Sequence, residues 1–191
     1  MPIDSKTAIL QAAEELMDEN GDRLEDITVR EICRRANVGL GLVNYYFGSK
    51  EALIAQCVER KIQAVVAAFQ NLREQDQRPP FETLEYCGEL TFDFLFAHET
   101  LSRISILSDM QHPKEYDNTH RTFEAYLPLV AACRPDWDEQ TVREKTFSLI
   151  TVMQQAFLRR NVVHTMLGMD LNNPEQRRTF HTKYLRDLLE E

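Results

Sequence analysis

The stretch TVREICRRANVGLGLVNYYFGSKEAL, residues 28–53, concentrates side chains suited to meeting a nucleotide. An asparagine amide such as Asn44 can bond both N6 and N7 of adenine, and a leucine can rest on a thymine methyl. Arginine and lysine neutralise phosphates and fix register without reading sequence. Residues 27–50 hold four cations (Arg30, Arg34, Arg35 and Lys50) against the single carboxylate Glu31. That local excess sits in a chain whose formal net charge is −9. An acidic body argues against indiscriminate coating of nucleic acid or anionic membrane, so a small basic face suits a selective binder.

Such residues need a scaffold that keeps them outside a core. Thr28 and Glu31 have capping-box spacing and Ile27 and Ile32 have hydrophobic-staple spacing, so a helix opens at Thr28. Its inner face would be Ile32, Cys33 and Ala36. Asn37-Val38-Gly39 reads as a turn, and residues 40–46 as a second, very short helix with Val38, Val43 and Phe47 as core contacts. Two short helices around a tight turn have helix-turn-helix geometry, in which the second helix lies in the major groove. If Val43 and Phe47 point inward, Leu40, Leu42, Asn44 and Tyr45 point away from the core. Arg30, Tyr46 and Lys50 flank that face, and Gly39 and Gly41 permit close backbone approach. On periodicity alone, the leucines packing on another helix and Tyr45-Tyr46 as core aromatics remain an alternative.

The rest of the chain repeats one theme. Apolar spacing near 3.6 recurs throughout, with no convincing alternation of period two. Ile9, Ala12, Ala13, Leu16 and Met17 line a first helix that stops near Asn20-Gly21. Ser49 caps a long fourth helix to about Gln77, roughly 40 Å at ~1.5 Å per residue. Pro79-Pro80 ends it. Helices follow at about 81–97, 99–110 and 118–133, then an eighth, capped by Asp136 with Glu139, that ends before Gly168. Asn173 as cap and Pro174 as first residue open the ninth. The expectation is all-α, nine helices and no sheet.

The chain is 191 residues, 43% hydrophobic, with only 6 glycines and 7 prolines, a composition that buries a real core. Its four cysteines (Cys33, Cys57, Cys87 and Cys133) form no C-x-x-C pair, and buried reduced thiols are the simplest expectation. No apolar run approaches the ~18 residues of a membrane span, and MPIDSK lacks a signal-peptide core. A soluble, cytoplasmic chain with no membrane partner is expected.

Residues 5–53 resemble the DNA-binding domain of the tetracycline-repressor (TetR) family of bacterial transcription regulators. That family's segment is close to T-x-x-x-I-A-x-x-A-G-V-S-x-G-x-x-Y-x-x-F-x-S-K-E-x-L, and A-x-V, G-x-V-x-x-Y-F and S-K-E-x-L recur here at the same spacing. The resemblance implies a two-domain architecture, residues 1–48 for DNA binding and 49–191 for effector binding and dimerisation. By position, Thr28 and Arg30 would contact phosphate, with a base also within their reach. Leu40, Gly41, Leu42, Asn44 and Tyr45 would face the groove, Gly39 would let the backbone approach DNA, and Tyr46 and Lys50 would hold the backbone. Three departures stand out: Gly39 for the usual serine, Leu40 where polar residues are frequent, and Asn44 for the usual tyrosine. The last makes Asn44 the leading candidate for base readout.

The resemblance further implies a homodimer on a palindromic duplex operator, released by a small apolar or amphipathic effector, usually as a repressor. The last two long helices would form the dimer bundle, with Phe147, Ile150, Phe180, Tyr184 and Leu188. An apolar pocket would use Phe92, Phe96, Met110, Phe123, Tyr126, Met153 and Phe157, with Arg103 or Gln154 as polar anchors. No cofactor is implied. Competing readings are a regulator governed by a protein partner or a metal ion, and a helical enzyme. The enzyme lacks H-E-x-x-H, a phosphate-binding glycine loop and G-x-S-x-G. Asp109, His112, Glu115, Asp117 and His120 lie close enough in sequence to ligate a metal. A solvated loop between helices explains them more simply, so no metal site is expected.

Overall fold

The computed structural model describes residues 4–21, 23–74 and 77–190. Ten α-helices and no strand are found among them. α1 (Ser5–Asn20) opens on Asp4, whose carboxylate accepts from the backbone N–H of Lys6 and Thr7 at 2.8 and 3.2 Å. It stops at Gly21, where φ is +58°. A 3-10 turn, Leu24–Asp26, leads to α2 (Val29–Ala36), which starts as its cap residue dictates. The Thr28 hydroxyl accepts from Glu31 N–H at 3.2 Å, while Ile27 and Ile32 are both sealed in the core. Asn37 ends α2 in the left-handed region (φ 54°, ψ 48°), which turns the chain sharply into α3 (Gly41–Phe47).

α4 (Lys50–Glu74) is capped by the Ser49 hydroxyl, which accepts from Ala52 N–H at 3.0 Å. Then come α5 (Pro80–Ala97), α6 (Glu99–Gln111), α7 (Asn118–Cys133) and α8 (Glu139–Leu158). A single turn, α9 (His164–Leu167), precedes α10 (Pro174–Leu189). The tenth helix exists because α8 stops ten residues before Gly168. Arg160 swings inward, its guanidinium paired with Glu99 and its Nη1 donating to the Phe157 carbonyl at 3.1 Å. The apolar spacing continues through that break, so period alone could not reveal it. The cap of α8 also differs from expectation. Asp138 accepts from Thr141 N–H at 2.7 Å, while Asp136 is drawn off by Arg134 at 2.8 Å. At α10 the expected cap holds, with Asn173 accepting from Glu175 and Gln176 N–H.

Two apolar clusters organise these helices. The first joins α1, α2 and α3 to the first half of α4 through Leu53, Ile54, Cys57, Val58 and Ile62, so it runs well past residue 48. The second joins α5, α7, α8 and α10 around Leu84, Phe92, Val130, Leu149 and Leu185. α4 therefore belongs to the first core at one end and borders the second body at the other. All four cysteines are free thiols, and burial pushes Cys57 up to about 12 and Cys133 up to about 11. No described helix is long and apolar enough to cross a membrane.

Candidate nucleic-acid interface and helical-body cavity

α3 is only two turns long and spends little of itself on the core. Val43 is fully buried and Phe47 is half-buried, which orients the helix. The remaining side chains face water: Leu40 is 56% exposed and Tyr45 78%, with Asn44 and Tyr46 also exposed. Tyr45 and Tyr46 brace each other edge to face at 5.0 Å. A Cβ placed on Gly39 or Gly41 would meet nothing within 4 Å. Internal crowding therefore does not require glycine there, and the bare backbone is open to an outside partner. Leu42 differs from expectation. It is half-buried and packs against the first core, because its apolar side chain gains by covering that cluster.

The cations divide into two kinds. Arg30 and Arg34 are exposed, with no charged partner among the described residues. Arg35 instead makes a two-pronged pair with Glu19 at 2.7 and 2.8 Å. Lys50 donates to the Ile27 carbonyl at 2.8 Å and the Glu25 carbonyl at 3.4 Å, which ties α4 to the segment before α2. Thr28 is exposed, but its hydroxyl is engaged as the cap of α2. Lys6, which the sequence did not suggest, lies 5.9 Å over the Phe47 ring beside the end of α3.

In the helical body, one cavity of about 70 Å³ is walled by Ile62, Val65 and Val66 of α4, with Thr91, Phe94, Leu95, Tyr126 and Leu129. The Tyr126 hydroxyl contacts Thr91 Oγ1 at 2.6 Å and donates to the Cys87 carbonyl at 3.0 Å. Burial pushes the Tyr126 phenol up, so it stays neutral. A second cavity of about 60 Å³ shares Ile62, Thr91, Leu95 and Thr122 with the first, and adds Ser102, Asp109, Asn118, Met153 and Gln154.

Residues 9–57 match the family described as "Bacterial regulatory proteins, tetR family". The chain is 25% identical over 121 residues to HTH-type transcriptional regulator BetI 1 of Chromohalobacter salexigens. That alignment covers 62% of this chain and 59% of the relative's length. A putative transcriptional regulator from Rhodococcus sp. RHA1 superposes with a TM-score of 0.66 at 14% identity, covering 97% of this chain and 98% of the other. Thermus thermophilus FadR, a TetR-family transcriptional repressor solved with lauroyl-CoA, gives 0.60 at 22% identity, covering 97% and 93%. At those identities the two structures speak to the fold alone.

Residues 9–57 carry the signature of the TetR family, and the fold of the chain is TetR-like.

Within this TetR-family fold, the residues singled out from sequence are only partly gathered. Tyr126 lines the first cavity, and Met153 and Gln154 line the second. Phe92 and Phe157 are core residues, with Phe96 packed between them at 6.2 and 5.5 Å. Phe123 is half-buried beside His120, while Arg103 and Met110 are exposed on α6. Phe147 is 63% exposed on α8, and Phe180 stacks on Tyr184 at 6.3 Å over the second core. Ile150 and Leu188 are covered within the subunit itself.

Among the described residues no group of three His, Cys, Asp or Glu converges on a point where a metal could sit. Asp109 and Asp117 bond α7 backbone N–H groups instead, while His112 and Glu115 face water. The cavity residues missed from sequence include Ser102, Asp109, Asn118 and Thr122. One signal was available. Ser102, Ser105 and Asp109 recur on the inward period of α6, where a plain core helix would carry apolar residues.

Proposed function

We propose that this chain is a ligand-responsive, DNA-binding transcriptional regulator, acting as a repressor. It would bind a palindromic operator as a homodimer in the cytoplasm and leave it when a small apolar or amphipathic effector binds. The observation that carries this is α3, which keeps Leu40, Asn44 and Tyr45 in water although burial of the two large apolar side chains would be favourable. Arg30 and Arg34, one turn apart on α2, are exposed with no charged partner among the described residues. One such module covers few base pairs, so useful affinity needs two, and a twofold operator would mirror the dimer. Phe147 on α8 and the Phe180–Tyr184 stack on α10 are the apolar groups available to such a bundle.

The switch would be α4. Its first residue is tied to Ile27, and three turns on its side chains Ile62, Val65 and Val66 wall the first cavity. A ligand with different affinity for two tilts of α4 would change the separation of the two reading helices. Coupling of ~1–3 kcal/mol suffices to move occupancy by one or two orders of magnitude. The Thermus thermophilus FadR bound to lauroyl-CoA supports an apolar occupant of such a helical body.

Selection of duplexes from sheared genomic DNA by the purified chain, with sedimentation of the complex, tests the reading. A single enriched motif with twofold character, bound by two chains, is expected. Uniform recovery of all duplexes would remove it.

A further inference from the structure

We propose that the effector carries a cationic hydrogen-bond-donating head, such as a protonated amine, held at Asp109, on an apolar body seated beside Tyr126. This rests on the ligand-responsive reading above and specifies its ligand class.

The two cavities share the walls Ile62, Thr91, Leu95 and Thr122, so they are neighbours of unlike character, and a ligand spanning both would part those side chains. At the partition the hydroxyls are satisfied: Thr91 donates to the Cys87 carbonyl at 2.9 Å and Thr122 to the Asn118 carbonyl at 2.9 Å. The Tyr126 end is apolar, with Val65, Val66, Phe94 and Leu129 around it. The other end carries polar capacity that the protein itself leaves unused.

Ser102 Oγ is completely buried and has no partner. Asn118 is likewise buried, with Nδ2 donating to Ser105 Oγ at 3.1 Å and Oδ1 unpartnered. Whichever way that amide is turned, one of its two atoms lacks a partner. Buried polar atoms are almost always hydrogen-bonded, so two orphans on one small cavity mark a place where an outside group completes the set. Asp109 settles the sign of that group. Its Oδ2 accepts from both N–H and Oγ1 of Thr119, at 2.8 and 2.9 Å, while Oδ1 has no partner among the described residues.

No lysine or arginine among the described residues pairs with Asp109. The nearby Lys114 and Arg121 are directed to Glu59, at 3.9 and 3.6 Å. Desolvation holds the Asp109 carboxyl above the usual carboxylate range, with the charges of Asp117 and Glu59 adding to it. A cation arriving at Oδ1 would relieve all three effects. An anionic head would meet an unpaired carboxylate with two more behind it. The cavities are small as they stand, so the body is a short chain or single ring, or it enters by displacing α4 side chains.

The test uses n-octylamine, 1-octanol and octanoate, which share one apolar body and differ in head charge. Each is titrated into the full-length chain at pH 7 by calorimetry, with thermal shift as a second readout. Octylamine is expected to bind at least tenfold more tightly than octanol, and octanoate more weakly than either. Asp109→Asn should bring octylamine within about twofold of octanol. Ser102→Ala removes an orphan hydroxyl without disturbing a bond, so it folds, and it should weaken octylamine several-fold while sparing octanol. Equal or tighter binding of octanol or octanoate by the unaltered chain would overturn the head-group assignment and leave the ligand-responsive reading standing. Binding of none of the three would overturn both.

Discussion

The Lys50 ammonium donates to the carbonyl of Ile27 at 2.8 Å, joining the first residue of the long α4 to the residue that precedes the cap of α2. From sequence, Lys50 looked like a phosphate ligand. In the fold its donors point at Ile27 and Glu25, so its first task is to fix how α4 meets the reading unit. A charged donor on a carbonyl contributes roughly 1–3 kcal/mol, the lower figure at a half-exposed site.

Lys50→Ala is therefore expected to lower stability by about 1 kcal/mol and to weaken all duplexes alike, leaving the slope of log affinity against log salt unchanged. Arg30→Ala and Arg34→Ala should each reduce that slope by about 2 for the dimer, one phosphate contact being lost from each chain. Arg35→Ala should leave it alone, since its guanidinium is held by Glu19. Affinity measured across a salt series for the four variants decides the assignment, and a shallower slope for Lys50→Ala would restore its phosphate role.

Asn44 is exposed on α3 between the buried Val43 and the exposed Tyr45, and its side chain makes no bond within the protein among those described. An amide so placed is free to bond an adenine edge in two places. Asn44→Ala should cost about 1–3 kcal/mol on the preferred operator and relax a single base position. A competition series over single-base variants checks this, and an equal loss on every duplex would rule out base readout.

How much of this was legible in the sequence follows from what each signal measures. Caps and turns are local, so Thr28, Ser49 and Asn173 announced their helices correctly. The exposure of Leu40, Asn44 and Tyr45 was legible too, because Val43 alone fixes the rotation of so short a helix. Packing between helices is not local, and it set Leu42 against the first core. The break after Leu158 depends on Arg160 finding Glu99, sixty-one residues earlier, which no period records. Aromatics are the poorest guide to the cavity. Phe92 and Phe157 were drawn into the core because burying a large ring is favourable anywhere, whereas polar residues on an inward face, Asp109 and Asn118, mark an unusual environment.

Tyr126 and Thr91 share the Cys87 carbonyl as acceptor, two hydroxyl protons serving three oxygens, so removal of the Tyr126 hydroxyl leaves Thr91 to donate to that carbonyl alone. Tyr126→Phe should thus cost only about 1 kcal/mol. Tyr126→Ala would enlarge the first cavity from about 70 Å³ and should cost about 3–5 kcal/mol. Urea unfolding midpoints of the two variants check the ordering; a loss in Tyr126→Phe as large as in Tyr126→Ala would mean the hydroxyl organises far more than this triad.

His181 gives a pH dependence with a definite sign. The ring is buried on α10, both nitrogens lack partners, and Phe92 packs edge-on at 5.5 Å. Burial holds its pKa down at about 4, only partly opposed by Glu85. The fold keeps the ring neutral, whereas the unfolded chain takes up a proton below about pH 6.5. Stability from this residue is therefore full above pH 6.5, falls as pH drops toward 4, and levels off below. The total is roughly 3 kcal/mol for a shift of that size. Subtracting the melting curve of His181→Leu from that of the unaltered chain between pH 7 and 4 isolates the effect, and parallel curves would contradict it.

The same ring explains why residue 88, in the middle of α5, is glycine. A Cβ there would lie 2.0 Å from His181 Nε2 and 2.1 Å from Cε1, far inside contact distance. Glycine inside a helix costs up to ~1 kcal/mol relative to alanine, so helix propensity alone would favour the substitution. Close approach of α10 to α5 wins, because the ring has no room to retreat from a site where it is almost wholly buried. Gly88→Ala is expected to destabilise by about 1–3 kcal/mol despite its better propensity. In a His181→Ala background the clash is gone, and the same substitution should become neutral or mildly stabilising. A double-mutant cycle by urea unfolding reads this as a coupling between the two sites. Additive effects would show that something other than the ring excludes the methyl group.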